Sequence, residues 1–230
     1  MTKFEKSYAV ICDCKDGVYR VSVADFDNSQ MYYRLEETEY EDEPGIWGYA
    51  DSEGKEIITP QFIYAYDFYD GLAYAARGKW EQKKEWDNKY WTDEILWGRI
   101  DKNGKEVIPC KFDRIKSFNY IDKDSCYLMA HYGGWENGKW GVIDYKGNWV
   151  IEPAFYRLDY EIYNDDLIVF QKPYSFDELY GLYSIKQNRI LFESEYGDII
   201  FKKDTIILEE YGKPKKITTV KYRDMENIKG

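Results

Sequence analysis

A chain of 230 residues with 44% hydrophobic content can build a sizeable core, since a folded unit of this size hides roughly 70–75% of its unfolded surface. Much of that content is 24 Tyr, 11 Phe and 8 Trp, side chains that favour pleated, half-buried surfaces, so the composition leans towards strand. The net charge of -11 repels phosphate backbones and anionic lipid, which argues against nucleic acid and membrane as partners; it either serves solubility or marks an acidic face that captures a basic protein.

Residues 1–46 read as an N-terminal cap. The apolar stretch from Tyr8 to Cys12 is too short for a signal-peptide core, and no run approaches the ~20 apolar residues that span a bilayer, so a cytoplasmic protein is expected. Cys12 and Cys14, with Cys110 and Cys126 further on, make no CxxC pair, which suits reduced thiols. The cap closes on Glu36-Glu37-Thr38-Glu39-Tyr40-Glu41-Asp42-Glu43, with six carboxylates in eight positions. Such a run is either a solvated loop or a handle that speeds capture of a basic partner and weakens with salt.

A motif then recurs. Trp47-Gly48, Trp97-Gly98 and Trp140-Gly141 each open a copy in which an Asp follows the Trp by four positions, a second Gly by seven and a Phe by fifteen. The Asp–Gly pairs Asp51/Gly54, Asp101/Gly104 and Asp144/Gly147 read as turn residues, the carboxylate accepting a backbone N–H and the Gly taking a positive φ. Each pair therefore closes a β-hairpin. The Gly after each Trp predicts a ring from an adjacent strand lying over it. The apolar pairs Ile57-Ile58, Val107-Ile108 and Val150-Ile151 predict strands covered on both faces, and Pro60, Pro109 and Pro153 predict an extended connector before the Phe.

Between the first two copies, 78–96 reads as an extended hairpin or loop in which Trp80, Trp86, Tyr90 and Trp91 are interleaved with charges of both signs. Exposed aromatics of this kind resemble the cores of protein interfaces, whereas folding back over the neighbouring hairpin is the plainer alternative. Asn137-Gly138 predicts the tight turn that leads from Tyr127–Ala130 into the third copy. A worn fourth copy starts at Tyr180-Gly181 and keeps an Ile190-Leu191 pair, with Ser184 in place of the Asp and Gln187 in place of the Gly. The stretch from Lys213 to Arg223 reads as a frayed or edge-protecting tail.

These copies resemble the bacterial WG-repeat family, whose units read approximately WG-x-ID-x-x-GK-x-VI-P followed by an aromatic residue. The resemblance covers about 45 to 195 and implies an all-β repeat array used for interaction, with no catalytic residues to carry over. The expected architecture is an array of antiparallel β-hairpin repeats, open and stacked like a solenoid or closed like a small propeller. Its parts would be 1–46, repeat 1 over 47–96, repeat 2 over 97–139, repeat 3 over 140–179, and a degenerate repeat with a C-terminal cap over 180–230.

No catalytic signature emerges. Gly98 to Gly104-Lys105-Glu106 is one residue too long for a phosphate loop and lacks its Ser or Thr, and there is no GxSxG or HExxH. The single histidine, His131, lies five residues after Cys126, without the further ligands a metal needs or the third group that would orient a nucleophile pair. No metal and no cofactor are expected. The leading expectation is a non-catalytic module that binds another protein, in a narrower form an acidic inhibitor or immunity-type protein masking a basic toxin or enzyme. The candidate contact residues are Glu36, Glu37, Glu39, Glu41, Asp42, Glu43, Trp80, Trp86, Tyr90 and Trp91. A carbohydrate-binding or carbohydrate-cleaving protein is the alternative, because two placed carboxylates and stacking aromatics suffice for that chemistry.

Overall fold

A computed structural model describes residues 3–23, 45–78, 82–85, 88–91, 95–118, 126–134, 137–163, 165–171, 179–211 and 217–227. The chain divides into two compact units, Met1–Asp113 and Arg114–Gly230. The described regular structure is antiparallel strand with a 3-10 helix at Tyr222–Asn227 and a 3-10 residue at Phe118, and among the described residues no sheet closes into a barrel.

In the first unit, β1 (Val10–Lys15), β2 (Val18–Ser22), β3 (Trp47–Asp51) and β4 (Glu56–Phe62) form one sheet in chain order. A single residue, Ile63, separates β4 from β5 (Tyr64–Ala65). This strand joins β6 (Leu72–Arg77), β9 (Leu96–Asp101) and β10 (Glu106–Phe112) in a second sheet of order β10-β9-β6-β5. The intervening β7 (Gln82–Glu85) and β8 (Asn88–Trp91) pair only with each other. One core joins the two larger sheets: Val18, Trp47, Tyr49, Ile58 and Phe62 from the first meet Ala65, Ala73, Ala75 and Ile100 from the second, with Phe68 from the β5–β6 connection. Alanines on β6 leave room for the large rings opposite, and each fully buried large side chain contributes about 1.5–3 kcal/mol. At one end, Asp16 pins the sheets together, accepting the Gly71 amide (2.9 Å) and an ion pair from Lys102 (3.1 Å).

The second unit repeats the scheme with β11 (Arg114–Ser117), β12 (Tyr127–Tyr132), β13 (Lys139–Asp144) and β14 (Trp149–Phe155) in sequential order. After the single residue Tyr156 comes a six-stranded sheet of β15 (Arg157–Tyr163), β16 (Leu167–Gln171), β17 (Tyr180–Ser184), β18 (Arg189–Lys202), β19 (Thr205–Glu210) and β20 (Ile217–Lys221). Phe118, Met129, Val142, Ile151 and Phe155 pack against Leu158, Ile168, Phe170 and Tyr183 between these sheets. Leu167, Val169, Leu182, Leu191, Ile206 and Leu208 gather in a separate cluster with Met225 of the 3-10 helix. The strand β18 serves two neighbours, pairing with β17 up to Tyr196 and with β19 from Tyr196 onwards. Part of the stretch read as a tail is therefore a paired strand, β20.

Candidate functional site

The repeated element is a doubly bulged hairpin. In β3 and β4, Trp47 stands opposite Phe62 and Tyr49 opposite Ile58, so two residues on one strand face four on the other. The surplus, which carries Pro60, arches over Gly48. A Cβ there would lie 2.5 Å from the Ile58 carbonyl and 2.5 Å from the Pro60 nitrogen. The same arch, with Pro109, covers Gly98, where a Cβ would strike the Ile108 carbonyl. Backbone thus occupies the place where a ring was expected at these two glycines; at Gly141 the Ile151 carbonyl (2.5 Å) is joined by the Trp149 ring (2.8 Å), and at Gly181 the Phe170 ring (2.5 Å) comes nearest.

The proline is part of this strand rather than of a connector. It sits on β4, β10 and β14, each the outermost strand of its sheet, where a missing N–H costs no ladder bond and blunts the edge. A second bulge follows, since Tyr49 and Ala50 are consecutive while their partners Ile58 and Glu56 skip Ile57. A bulge turns neighbouring side chains to one side. Accordingly Ile57 and Ile58 pack on one core, as do Val150 and Ile151, instead of covering opposite faces.

The motif carboxylates act within their own turns. The Oδ1 of Asp51 accepts the amides of Glu53 (2.9 Å) and Lys55 (3.0 Å). Asp101 does the same with Asn103 and Lys105, and Asp144 with Lys146 and Asn148. Gly54, Gly104 and Gly147 supply the positive φ, at 87°, 78° and 79°. Burial works to raise the Asp101 and Asp144 carboxyls, but these hydrogen bonds outweigh it and hold both below the usual carboxylate range.

The fourth copy keeps both bulges, with Tyr180 opposite Tyr196, Leu182 opposite Phe192 and Tyr183 opposite Ile190. Its turn is one residue longer, so Leu191-Phe192, not Ile190-Leu191, takes the place of Ile57-Ile58. The missing Asp is supplied from the preceding turn, where Asp166 accepts Ser184 Oγ (2.7 Å) and the Lys186 amide (2.8 Å).

The tryptophans share a partner and differ in the rest of their setting. Each faces the Phe fifteen positions on: Phe62, Phe112 and Phe155. Trp47 is fully buried under the Arg20 guanidinium, 4.6 Å from its ring. Half-buried Trp97 stacks on Tyr64 and Tyr66, both at 5.6 Å. Half-buried Trp140 meets His131 edge-on at 5.2 Å.

Two carboxylates escaped the reading of the sequence although both occupy the ninth position after the motif Trp. Glu56 accepts Lys6 Nζ (2.8 Å), Thr59 Oγ1 (2.9 Å) and the Tyr8 hydroxyl (3.1 Å). Glu106 accepts Arg77 Nε (2.7 Å) and the Cys110 amide (3.1 Å). Lys6, helped by Thr59 and Tyr8 against the opposing effect of burial, holds Glu56 below its usual range; at Glu106 burial opposes the shift, and Arg77 with Cys110 overcomes it. Both clamp the arch to its surroundings. Burial, reinforced by Glu106, pushes the Cys110 thiol up to about 12, which leaves it a poor nucleophile.

Of the expected contact residues, Glu36, Glu37, Glu39, Glu41, Asp42, Glu43, Trp80 and Trp86 lie outside the described residues. Tyr90 and Trp91 are neighbours on β8, opposite Lys83 and Gln82 of β7. The ribbon they belong to interrupts β6 and β9, yet those strands pair directly from Arg77–Leu96 to Leu72–Asp101. The repeat sheet is complete without it. Among the described residues no group of His, Cys, Asp and Glu could hold a metal ion, and no helix is long and apolar enough to cross a membrane.

Compared with known proteins, the chain matches the family model described as WG containing repeat at residues 47–79, 97–120 and 140–172. These stretches coincide with the three hairpins led by Trp47, Trp97 and Trp140. No curated protein matches the chain.

Proposed function

This chain carries three WG repeats, and from that premise we propose that it is a non-catalytic module that holds another protein of basic surface. The β7–β8 ribbon carries the reading. The sequence has 18 residues, 78–95, between two strands that pair directly with each other, and Trp80, Trp86, Tyr90 and Trp91 fall in that stretch. Large aromatics are the residue type that anchors protein interfaces. The acidic run Glu36–Glu43 supplies the matching electrostatics, since carboxylates steer a basic partner and make capture fall with salt. The motif carboxylates are engaged in their turns, which leaves recognition to the elements outside the motif. A narrower form of the proposal makes the chain an inhibitor or immunity-type protein that masks a basic toxin or enzyme in the cytoplasm.

The test uses the hairpin geometry. Because Arg77 faces Leu96, replacing 78–95 by Asn-Gly closes β6 onto β9 with a two-residue turn. The expected outcome is a folded protein that no longer captures, in near-stoichiometric amount at low salt, the basic protein that the full chain captures from lysate. Equal capture by both chains, or no stoichiometric capture by the full chain, would contradict the proposal.

A further inference from the structure

Open sheet edges invite pairing with another chain, and this protein guards most of its own. Strands β4, β10 and β14 carry a proline and two register shifts each. Strand β1 shifts register between Ile11 and Cys14 and presents Asp13 and Lys15. Strand β5 has two residues, and β15 shifts register between Leu158 and Ile162. Strand β11 has four half-buried residues, two of them the cations Arg114 and Lys116.

Strand β20 has almost none of these devices. It pairs with β19 at five consecutive positions without a shift, has no proline, and runs Ile217-Thr218-Thr219-Val220 before its one charge, Lys221. Such a β-branched, nearly uncharged stretch is well suited to pairing. Ile217 is 60% exposed, and no described strand pairs with the outer edge.

We propose that this edge is an interface for a second copy of the chain, β20 pairing with β20 antiparallel about a twofold axis at Thr219. The sequence is self-complementary in that register. Ile217 faces Lys221 of the second copy, Thr218 faces Val220, and Thr219 faces itself. Directly opposed side chains share one face of a sheet. Glu209 is already opposite Ile217 on β19, so each end of the joint becomes a row of Glu209, Ile217 and the second copy's Lys221. The lysine stem crosses the exposed Ile217 and carries its ammonium towards the Glu209 carboxylate. The axis makes both rows at once, as an isologous contact requires. The two Lys221 residues end four positions apart, about 13 Å along the strand, beyond the screening length of about 8 Å at physiological salt. A strand acidic or basic throughout would satisfy one end of the edge and be repelled at the other.

Cysteine pairing reads the register. In a background with the exposed Cys14 and Cys126 changed to Ser, Thr219→Cys should form a disulfide-linked dimer under mild oxidation, because directly opposed residues lie within disulfide reach. Thr218→Cys, equally exposed, should not, whereas a mixture of Thr218→Cys and Val220→Cys should. Light scattering on the unmodified chain should show the mass rising from 27.6 kDa towards twice that value with concentration, and Glu209→Lys should weaken the rise with unchanged circular dichroism. A constant 27.6 kDa at every concentration would overturn the proposal, as would Thr218→Cys linking as readily as Thr219→Cys.

Discussion

Alanine in place of Gly98 would push a Cβ into the backbone of Ile108, Pro109 and Cys110, and backbone in a paired strand cannot step aside as a flexible side chain can. The expected loss for Gly98→Ala is about 3 kcal/mol in denaturant unfolding, at the upper end of overpacking costs. Asp144→Ala removes an acceptor from three donors, the Lys146 and Asn148 amides and the Asn148 side chain, and should cost about 1–2 kcal/mol. The carboxyls of Asp101, Asp144 and Glu106 sit below their unfolded values, so their contribution to stability is complete above the unfolded values of about 4 and drains away as pH falls through the folded ones. A urea midpoint that declines below about pH 4, and declines less in Asp101→Ala/Asp144→Ala, is the expected signature. Alkylation at pH 8 should label the exposed Cys14 and Cys126 well before Cys110. The turn role of the Asp–Gly pairs was legible because the carboxylate and its donors are a few residues apart. Arg20 was not: its bonds to the Ala65 carbonyl (2.6 Å) and Cys12 Sγ (3.3 Å), and its place over Trp47, depend on which strands meet.

At the level of the strand, recurrence revealed the hairpins and concealed their register. A period of two assigns Ile57 and Ile58 to opposite faces, but an unpaired residue between Glu56 and Ile58 cancels the alternation. The same effect hid the alignment of the fourth copy, where one additional turn residue moves the aromatic to Tyr196. The proline position likewise reads as a connector until its strand is found at the edge of a sheet. This gives the proline a use that can be measured. Pro153→Thr restores an N–H to an open edge, and the expected result is association beyond the mass the unmodified chain reaches at the same concentration in light scattering, with little change in melting temperature. The fourth copy has no proline at the equivalent stretch, and its strand β18 is the one that continues to Lys202 and receives β19.

For the molecule as a whole, each compact unit has two repeat sheets and an apolar core of its own. Expressed alone, residues 1–113 should therefore show strand-type circular dichroism and a cooperative melt. Composition announced the fold class, and three matching copies announced the WG repeat, because both are properties of many residues at once. Recognition was less legible, since the acidic run and most of the insertion's tryptophans belong to no repeat and no second copy checks their reading. The arch over the motif glycine sets the register of every repeat hairpin, and cross-strand NMR contacts measure it directly. With Arg99 opposite Ile108, the expected contact pairs Trp97 with Phe112. A regular hairpin would instead place Trp97 opposite Cys110, and finding that contact would contradict the account.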